Sequence, residues 1–307
     1  MKSKLLPKLL IMAAVLFTAN SHAALRVFAC EPEWKALAEV IAGSHVKAVS
    51  ATNALQDPHY VQARPSLIAS TRKADLLICS GADLEVGWLP LLLRKANNRK
   101  LQPGSPGFLM ASDFVTRLDK ATSLDRSRGD QHALGNPHIQ TDPRNFIPVA
   151  RELTRRLAQI DPDNAQGYQQ GLSAFEAQWN EAIAQWEQRA DPLRGKTVVL
   201  YHQSWVYLDS WLGLVEVATL ENKPGVPPSG AHLNSLLAQL KENPAALIIR
   251  TPYQNPKPAE WLSKQTGIPQ AVLPFTVGGS AEAHDLYGLF DSTINILLEK
   301  AGLSDEP

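Results

Sequence analysis

Residues Thr197–Gly213 read TVVLYHQSWVYLDSWLG, a strand, a turn bearing a histidine, and a helix closed by glycine. Thr197–Tyr201 is apolar or β-branched at almost every position rather than alternating, which marks a strand buried on both faces in a parallel sheet. Trp205–Trp211 has helical spacing, and Gly213 ends it. Strand Val215–Leu220 follows. Pro228-Ser229 then opens a helix that runs through Lys241, and Ala246–Arg250 and Ala271–Thr276 are further strands. Strands alternating with helices imply a parallel sheet.

The same grammar occurs earlier in the chain. Leu25–Cys30 is a strand, Trp34–Ile41 a helix ended by Gly43, Val46–Ser50 a strand, Pro65–Lys73 a helix and Ala74–Ser80 a strand. Laying Trp34 on Trp205 brings Gly43 within one residue of Gly213 and sets Glu31 opposite His202. Both residues then follow their strand directly, at the carboxyl end where open α/β sheets bind ligands. Between the halves, Pro143 opens a helix through about Ile160, and Asp161-Pro162-Asp163 breaks it. Asn164–Arg189 carries Leu172, Phe175, Trp179, Ile183 and Trp186 at three- and four-residue steps, one long amphipathic helix. The expected fold is α/β, two similar lobes, each a parallel sheet flanked by helices, joined by one long backbone helix. Its divisions are a signal peptide at 1–23, an N-terminal lobe at 24–160, the linking helix at 161–192 and a C-terminal lobe at 193–307.

The first 23 residues have the organisation of an export signal: Lys2, Lys4 and Lys8, an apolar run Leu9–Thr18, and Ser21-His22-Ala23 as a small-residue cleavage site. The apolar run is too short for a membrane span. Phe28 is bulky where a lipidation box before Cys30 would need a small residue. The chain has 30 basic and 30 acidic residues, and removing the three signal lysines leaves 27 against 30. A mildly acidic chain without a basic patch is not built for nucleic acid. The expected product is exported, soluble and monomeric, without membrane insertion. Cys30 and Cys79 each end a strand, and an oxidising compartment permits a disulfide between them. Two buried thiols on neighbouring strands are the alternative.

Three histidines lie in turns marked by proline or aromatic residues: His59 in Asp57-Pro58-His59-Tyr60, His138 in Asn136-Pro137-His138, and His202 in Tyr201-His202-Gln203-Ser204-Trp205. Imidazoles converging from separate loops are the usual makings of a transition-metal site. The repeat adds Glu31 as a candidate fourth ligand, against its plainer reading as a surface or capping carboxylate. His132, six residues before His138 in a glycine-flanked loop, is a possible auxiliary contact. His45, His232 and His284 read as solvated or structural, and Glu85 as a residue that orients the helix after it.

These motifs in this order resemble the zinc and manganese solute-binding proteins of ABC importers, the type with a helical backbone between two lobes. The resemblance rests on Gln56-Asp57-Pro58-His59, the stretch Ala74–Glu85, Gly135-Asn136-Pro137-His138 with Thr141-Asp142-Pro143, Tyr201–Tyr207, and Lys223–Ser229. It implies that His59, His138 and His202 take the places of metal ligands between the lobes, and that the metal passes to a membrane permease. Such proteins often supply an aspartate just after the last strand. Here Phe275–Ser280 has no acidic residue, which leaves water, Glu31 or Asp285 for that position. Asp285 reads better as the cap of a helix at Leu286–Glu299. The long histidine-rich loop of some zinc-binding members is also missing.

Three imidazoles with one further oxygen ligand or water suit tetrahedral zinc, whereas manganese prefers oxygen-rich octahedral shells. The expected function is periplasmic capture of a divalent transition metal, Zn2+ ahead of Mn2+, for delivery to an importer. A secreted zinc metalloenzyme would use the same three histidines. No His-Glu-x-x-His helix or nucleophile elbow accompanies them, however. A binder of an organic metal chelate would need an aromatic or arginine-lined cleft.

Overall fold

The computed structural model describes residues 23–120 and 132–304. The expected signal segment lies outside the described residues except for Ala23, as does most of the polar loop before His132. Among the described residues no helix is long and apolar enough to cross a membrane.

The first lobe runs β1 (Leu25–Ala29), α1 (Pro32–Ala42), β2 (Val46–Ser50), α2 (Pro65–Lys73), β3 (Leu76–Cys79), α3 (Leu89–Ala96) and β4 (Phe108–Met110). Its sheet has the order β2-β1-β3-β4, with every pairing parallel. Two helices follow, α4 (Phe146–Ile160) and α5 (Ala165–Ala190). The second lobe runs β5 (Thr197–Leu200), α6 (Val206–Leu212), β6 (Val215–Thr219), α7 (Gly230–Glu242), β7 (Leu247–Arg250), α8 (Pro256–Thr266) and β8 (Gln270–Val272). Its order, β6-β5-β7-β8, repeats the first, again all parallel. A last helix, α9 (Leu286–Lys300), closes the described chain, its first turn capped by Asp285 Oδ1, which accepts from Gly288 N at 2.7 Å.

The unbroken apolar strands have the expected cause. Along β1, Val27 and Ala29 face one side while Phe28 faces the other, and along β5 Val198 and Leu200 oppose Val199 in the same way. One face of each sheet packs under its own lobe's outer helices. The other faces join a single core that runs through both lobes and holds α1, α4, α5 and α9. Because period-2 side chains are buried on both faces, no polar alternation survives to be read.

Helix α5 is 26 residues long, roughly 39 Å at 1.5 Å per residue. Its buried stripe Leu172, Phe175, Trp179, Ile183 and Trp186 is the one the spacing predicts, and Tyr168 extends it at the start of the helix. Trp179 stacks on Phe175 with ring centroids 5.1 Å apart and meets Phe146 at 5.4 Å and Phe290 at 5.6 Å. Gly171 lets α5 touch the end of α1: a Cβ there would sit 1.9 Å from the Ile41 carbonyl oxygen. A core shared in this way resists wide hinge opening, since separating the lobes would expose it.

Three differences from the expected layout have simple causes. Strand β4 is only three residues long, too short for a period to show. Helix α8 buries only Ala259 and Leu262, so its apolar face is faint, although Asn255 caps it through Lys257 N at 3.2 Å. The helix expected from Pro143 begins as a 3-10 turn at Pro143–Asn145, held by Asp142, before α4 proper. The cysteines are joined: Cys30 and Cys79 form a disulfide across the carboxyl ends of β1 and β3, with Cα atoms 4.8 Å apart.

Candidate metal centre

Each histidine is delivered by a turn whose backbone is tied down. His59 follows β2. Its N–H donates to Asp57 Oδ1 at 3.0 Å, and the preceding Pro58 carbonyl accepts from the buried Trp88 indole at 2.9 Å. His138 lies in the segment leading to α4. Gly135 before it has φ +106°, and a Cβ there would sit 2.9 Å from the Leu118 carbonyl oxygen, so only glycine fits the turn. Asn136 Oδ1 then accepts from His138 N at 3.0 Å while its amide donates to the Gln203 carbonyl at 2.7 Å. Tyr207 adds a hydroxyl donated to the Asn136 carbonyl at 2.7 Å, so the His138 segment is pinned to the loop bearing His202. His202 stands just past β5, at the carboxyl end of the sheet where such folds gather ligands.

The three rings converge. Centroids are 5.2 Å apart for His59 and His138, 5.8 Å for His59 and His202, and 5.9 Å for His138 and His202. One ring nitrogen from each lies within 4.8 Å of the other two. His138 is buried and packs edge-on against Phe275 at 5.3 Å. Burial first, then the neighbouring His59, His202 and His132 rings, hold its imidazole well below the ordinary histidine range, so it is neutral at neutral pH. Carboxylates stand behind the other two. Asp57 Oδ1 lies 2.8 Å from His59 Nδ1, and Glu221 Oε2 lies 2.7 Å from His202 Nδ1. Burial pushes Asp57 up, but its hydrogen bonds to His59 and that ring's charge outweigh burial and keep the carboxyl below its usual range. An opening of about 240 Å3, lined by Leu55, Asp57, His59, Tyr60, His202, Glu221 and Gly225 among others, leads to the rings. A larger cavity of about 750 Å3 lies elsewhere, along α3 and β4. Its lining carries no histidine, so size alone would misplace the centre.

The remaining sequence candidates divide. His132 joins the cluster, its ring 5.5 Å from His59 and 6.3 Å from His138. Asp285 is the cap of α9, as its plainer reading held. Glu31 is not brought into the histidine group. It occupies the cap position of α1, but its Oε2 accepts from Ser80 Oγ at 3.1 Å and Ser80 N at 3.3 Å, turning the carboxylate toward β3. There it joins two further buried acids. Glu85 accepts from Gly81 N at 3.1 Å, closing the turn in which Ala82 and Asp83 take left-handed φ. Glu33 accepts from Thr276 Oγ1 at 2.5 Å, a bond from the first lobe to the loop after β8. Burial, then the charges of Glu85 and Glu33, raises Glu31 well above the carboxylate range, and burial pushes Glu33 and Glu85 up to about 7.

That shift has a measurable sign. The unfolded chain releases the Glu33 proton near 4.5 while the folded protein keeps it to about 7, so stability falls as pH rises through that window. Glu33→Gln removes its own part of the slope, leaving those of Glu31 and Glu85, while keeping an acceptor for Thr276. Urea unfolding of the metal-free protein should find the variant more stable than wild type at pH 8, by up to roughly 3 kcal/mol, with no gain at pH 4. Equal stability at pH 8 would mean the buried charge is already compensated.

Residues 27–300 match the family described as ZnuA, zinc-uptake complex component A, periplasmic. The chain belongs to this family. The high-affinity zinc uptake protein ZnuA of Yersinia pestis is 24% identical over 253 residues, covering 78% of this chain and 79% of that protein. The manganese ABC transporter substrate-binding lipoprotein PsaA of Streptococcus pneumoniae is 23% identical over 258 residues, covering 80% and 79%. A crystal structure of ZnuA superposes with a TM-score of 0.73 at 21% identity, over 91% of this chain and 99% of that one, and so shares the fold. The protein is thus a ZnuA-type substrate-binding protein that captures a metal for an ABC importer, and the enzyme and chelate-binder readings find no support. Sequence reasoning gave no role to Asp57, Glu221 and Glu33. Asp57 carried a usable signal, a carboxylate two residues before a histidine. Glu221 and Glu33 carried none, since their partners His202 and Thr276 are distant in sequence.

Proposed function

We propose that the protein binds Zn2+ in the periplasm through His59, His138 and His202, and passes it to the membrane permease of an ABC importer. The observation that supports this most is the convergence of three imidazoles from three separate segments, one of them buried and held neutral. Zinc bonds nitrogen at about 2.0–2.1 Å, which in a tetrahedron puts ligand nitrogens about 3.4 Å apart. Ring nitrogens already within 4.8 Å of one another can take up that spacing by side-chain rotation, without wide lobe opening. His132 is the fourth ligand we favour, since its ring already stands beside the cluster and Phe275–Ser280, after β8, holds no carboxylate. A shell of imidazoles favours zinc over manganese, which seeks oxygen donors. No bond of the cargo is made or broken beyond coordination. The work of the protein is differential affinity.

The test is metal content and competitive titration of residues 24–307 with zinc, manganese and copper. One tightly held zinc per chain, weakened by His132→Ala and displaced by copper but not by manganese, is the expected result. A clear preference for manganese would overturn the zinc assignment. Unchanged zinc affinity in His132→Ala would leave the fourth position to water.

A further inference from the structure

The two carboxylates behind the histidines hold equivalent positions in the two lobes. Asp57 comes from the loop after β2, the second strand of the first lobe. Glu221 comes from the loop after β6, the second strand of the second lobe. Each makes two bonds, one to a ring and one to a backbone amide. Asp57 Oδ1 meets His59 Nδ1 at 2.8 Å and accepts from His59 N at 3.0 Å. Glu221 Oε2 meets His202 Nδ1 at 2.7 Å and accepts from Gly225 N at 2.8 Å. Both turns line the opening to the rings. His59 Nε2, the nitrogen left over, is buried and makes no hydrogen bond among the described residues. His138 differs: neither of its ring nitrogens has a hydrogen-bond partner among the described residues, and the ring rests on Phe275.

We propose that Asp57 and Glu221 are positioning residues that hold His59 and His202 as the Nδ1–H tautomer, aim each Nε2 at the metal, and tie each ring to one lip of the opening. This rests on the metal-capture reading above. A neutral imidazole has one lone pair, and whichever nitrogen carries the proton cannot bind metal. A carboxylate accepting from Nδ1–H settles that choice, makes Nε2 a better donor, and fixes the ring plane before the ion arrives. His138 is held by packing and its buried backbone instead, so the centre combines two tethered imidazoles with one that is untethered. Displacing either lip pulls on a ligand through a single carboxylate, which gives a docking permease a short lever on the ion.

Two readouts test this. Long-range proton–nitrogen NMR of the metal-free protein should show His59 and His202 as Nδ1–H tautomers. Glu221→Ala should abolish that state for His202 alone, and Asp57→Ala for His59 alone. Competitive zinc titration should find each alanine variant weakened about 10- to 100-fold, the scale for loss of such partners. Glu221→Gln keeps an acceptor for both Nδ1–H and Gly225 N. It should therefore retain the tautomer and lose less affinity than the alanine variant, a rescue that distinguishes ring orientation from mere loop disruption. Thermal melting of the metal-free variants confirms that they fold. An Nε2–H tautomer at His202 in the wild type would overturn the proposal, as would wild-type affinity and an unchanged cobalt absorption spectrum in Glu221→Ala. Correct tautomers in a wild-type protein that takes up no metal would instead overturn the capture reading and the tethers' role with it.

Discussion

Replacing His138 with alanine is expected to abolish tight zinc binding, lowering affinity by more than the roughly 100-fold that loss of an outer partner causes. Of the three proposed ligands, His138 is the most enclosed. It is buried, it lies beside both other rings at 5.2 Å and 5.9 Å, and Phe275 fills the space behind it. Truncation leaves a small hole in a segment whose backbone is pinned by Asn136 and Tyr207 and cannot collapse to fill it. The burial that keeps His138 neutral also gives it a stability slope. Its folded pKa is depressed below 6.5, so the unfolded chain takes up a proton first and acidification below that value destabilises the metal-free protein. His138→Ala should bind zinc poorly and yet lose that part of the acid sensitivity. Isothermal titration and urea unfolding at pH 5 and 7 measure the two effects separately. Stoichiometric tight zinc in the variant would remove His138 from the centre.

The second large effect is on stability. The Cys30–Cys79 disulfide closes a loop with a sequence separation of 49 and joins two strands that already pair with a common register. Its main effect is then on the unfolded chain, where closing a loop of that length removes conformational entropy worth about 4 kcal/mol at 25 °C. The double variant Cys30→Ala, Cys79→Ala should lose about 2–4 kcal/mol in urea unfolding. Zinc affinity should change little, because the three histidines come from other loops. A large loss of affinity would show that the carboxyl ends of β1 and β3 shape the centre directly. A loss under about 1 kcal/mol would mean that the unfolded chain is already compact there.

The repeat illustrates how far sequence reading extends. Aligning Trp34 with Trp205 placed Glu31 and His202 at equivalent backbone positions, and the matching sheet orders β2-β1-β3-β4 and β6-β5-β7-β8 bear out the duplication. Equivalent backbone did not make equivalent side chains. Ser80 offers an amide and a hydroxyl to Glu31, so that carboxylate leans to β3, whereas Glu221 faces His202 from the loop after β6. A backbone position follows from local pattern, but a side chain's direction follows from whichever neighbour satisfies it.

Local chemistry by itself determined most of the elements, their parallel arrangement in two lobes, the long helix α5 and the three histidines worth watching, but not β4 or α8. Apolar runs, helical spacing, glycines and prolines act within a few residues of where they stand. Tertiary structure alone decided that His132 approaches the cluster and Glu31 turns away. It also decided that Glu221 stands behind the His202 ring, that Glu33 bonds to Thr276 in the other lobe, and that the cysteines are joined. Each of these pairs atoms that meet only once the sheets have packed on one core, and burial then raises the cost of leaving a polar group without its partner.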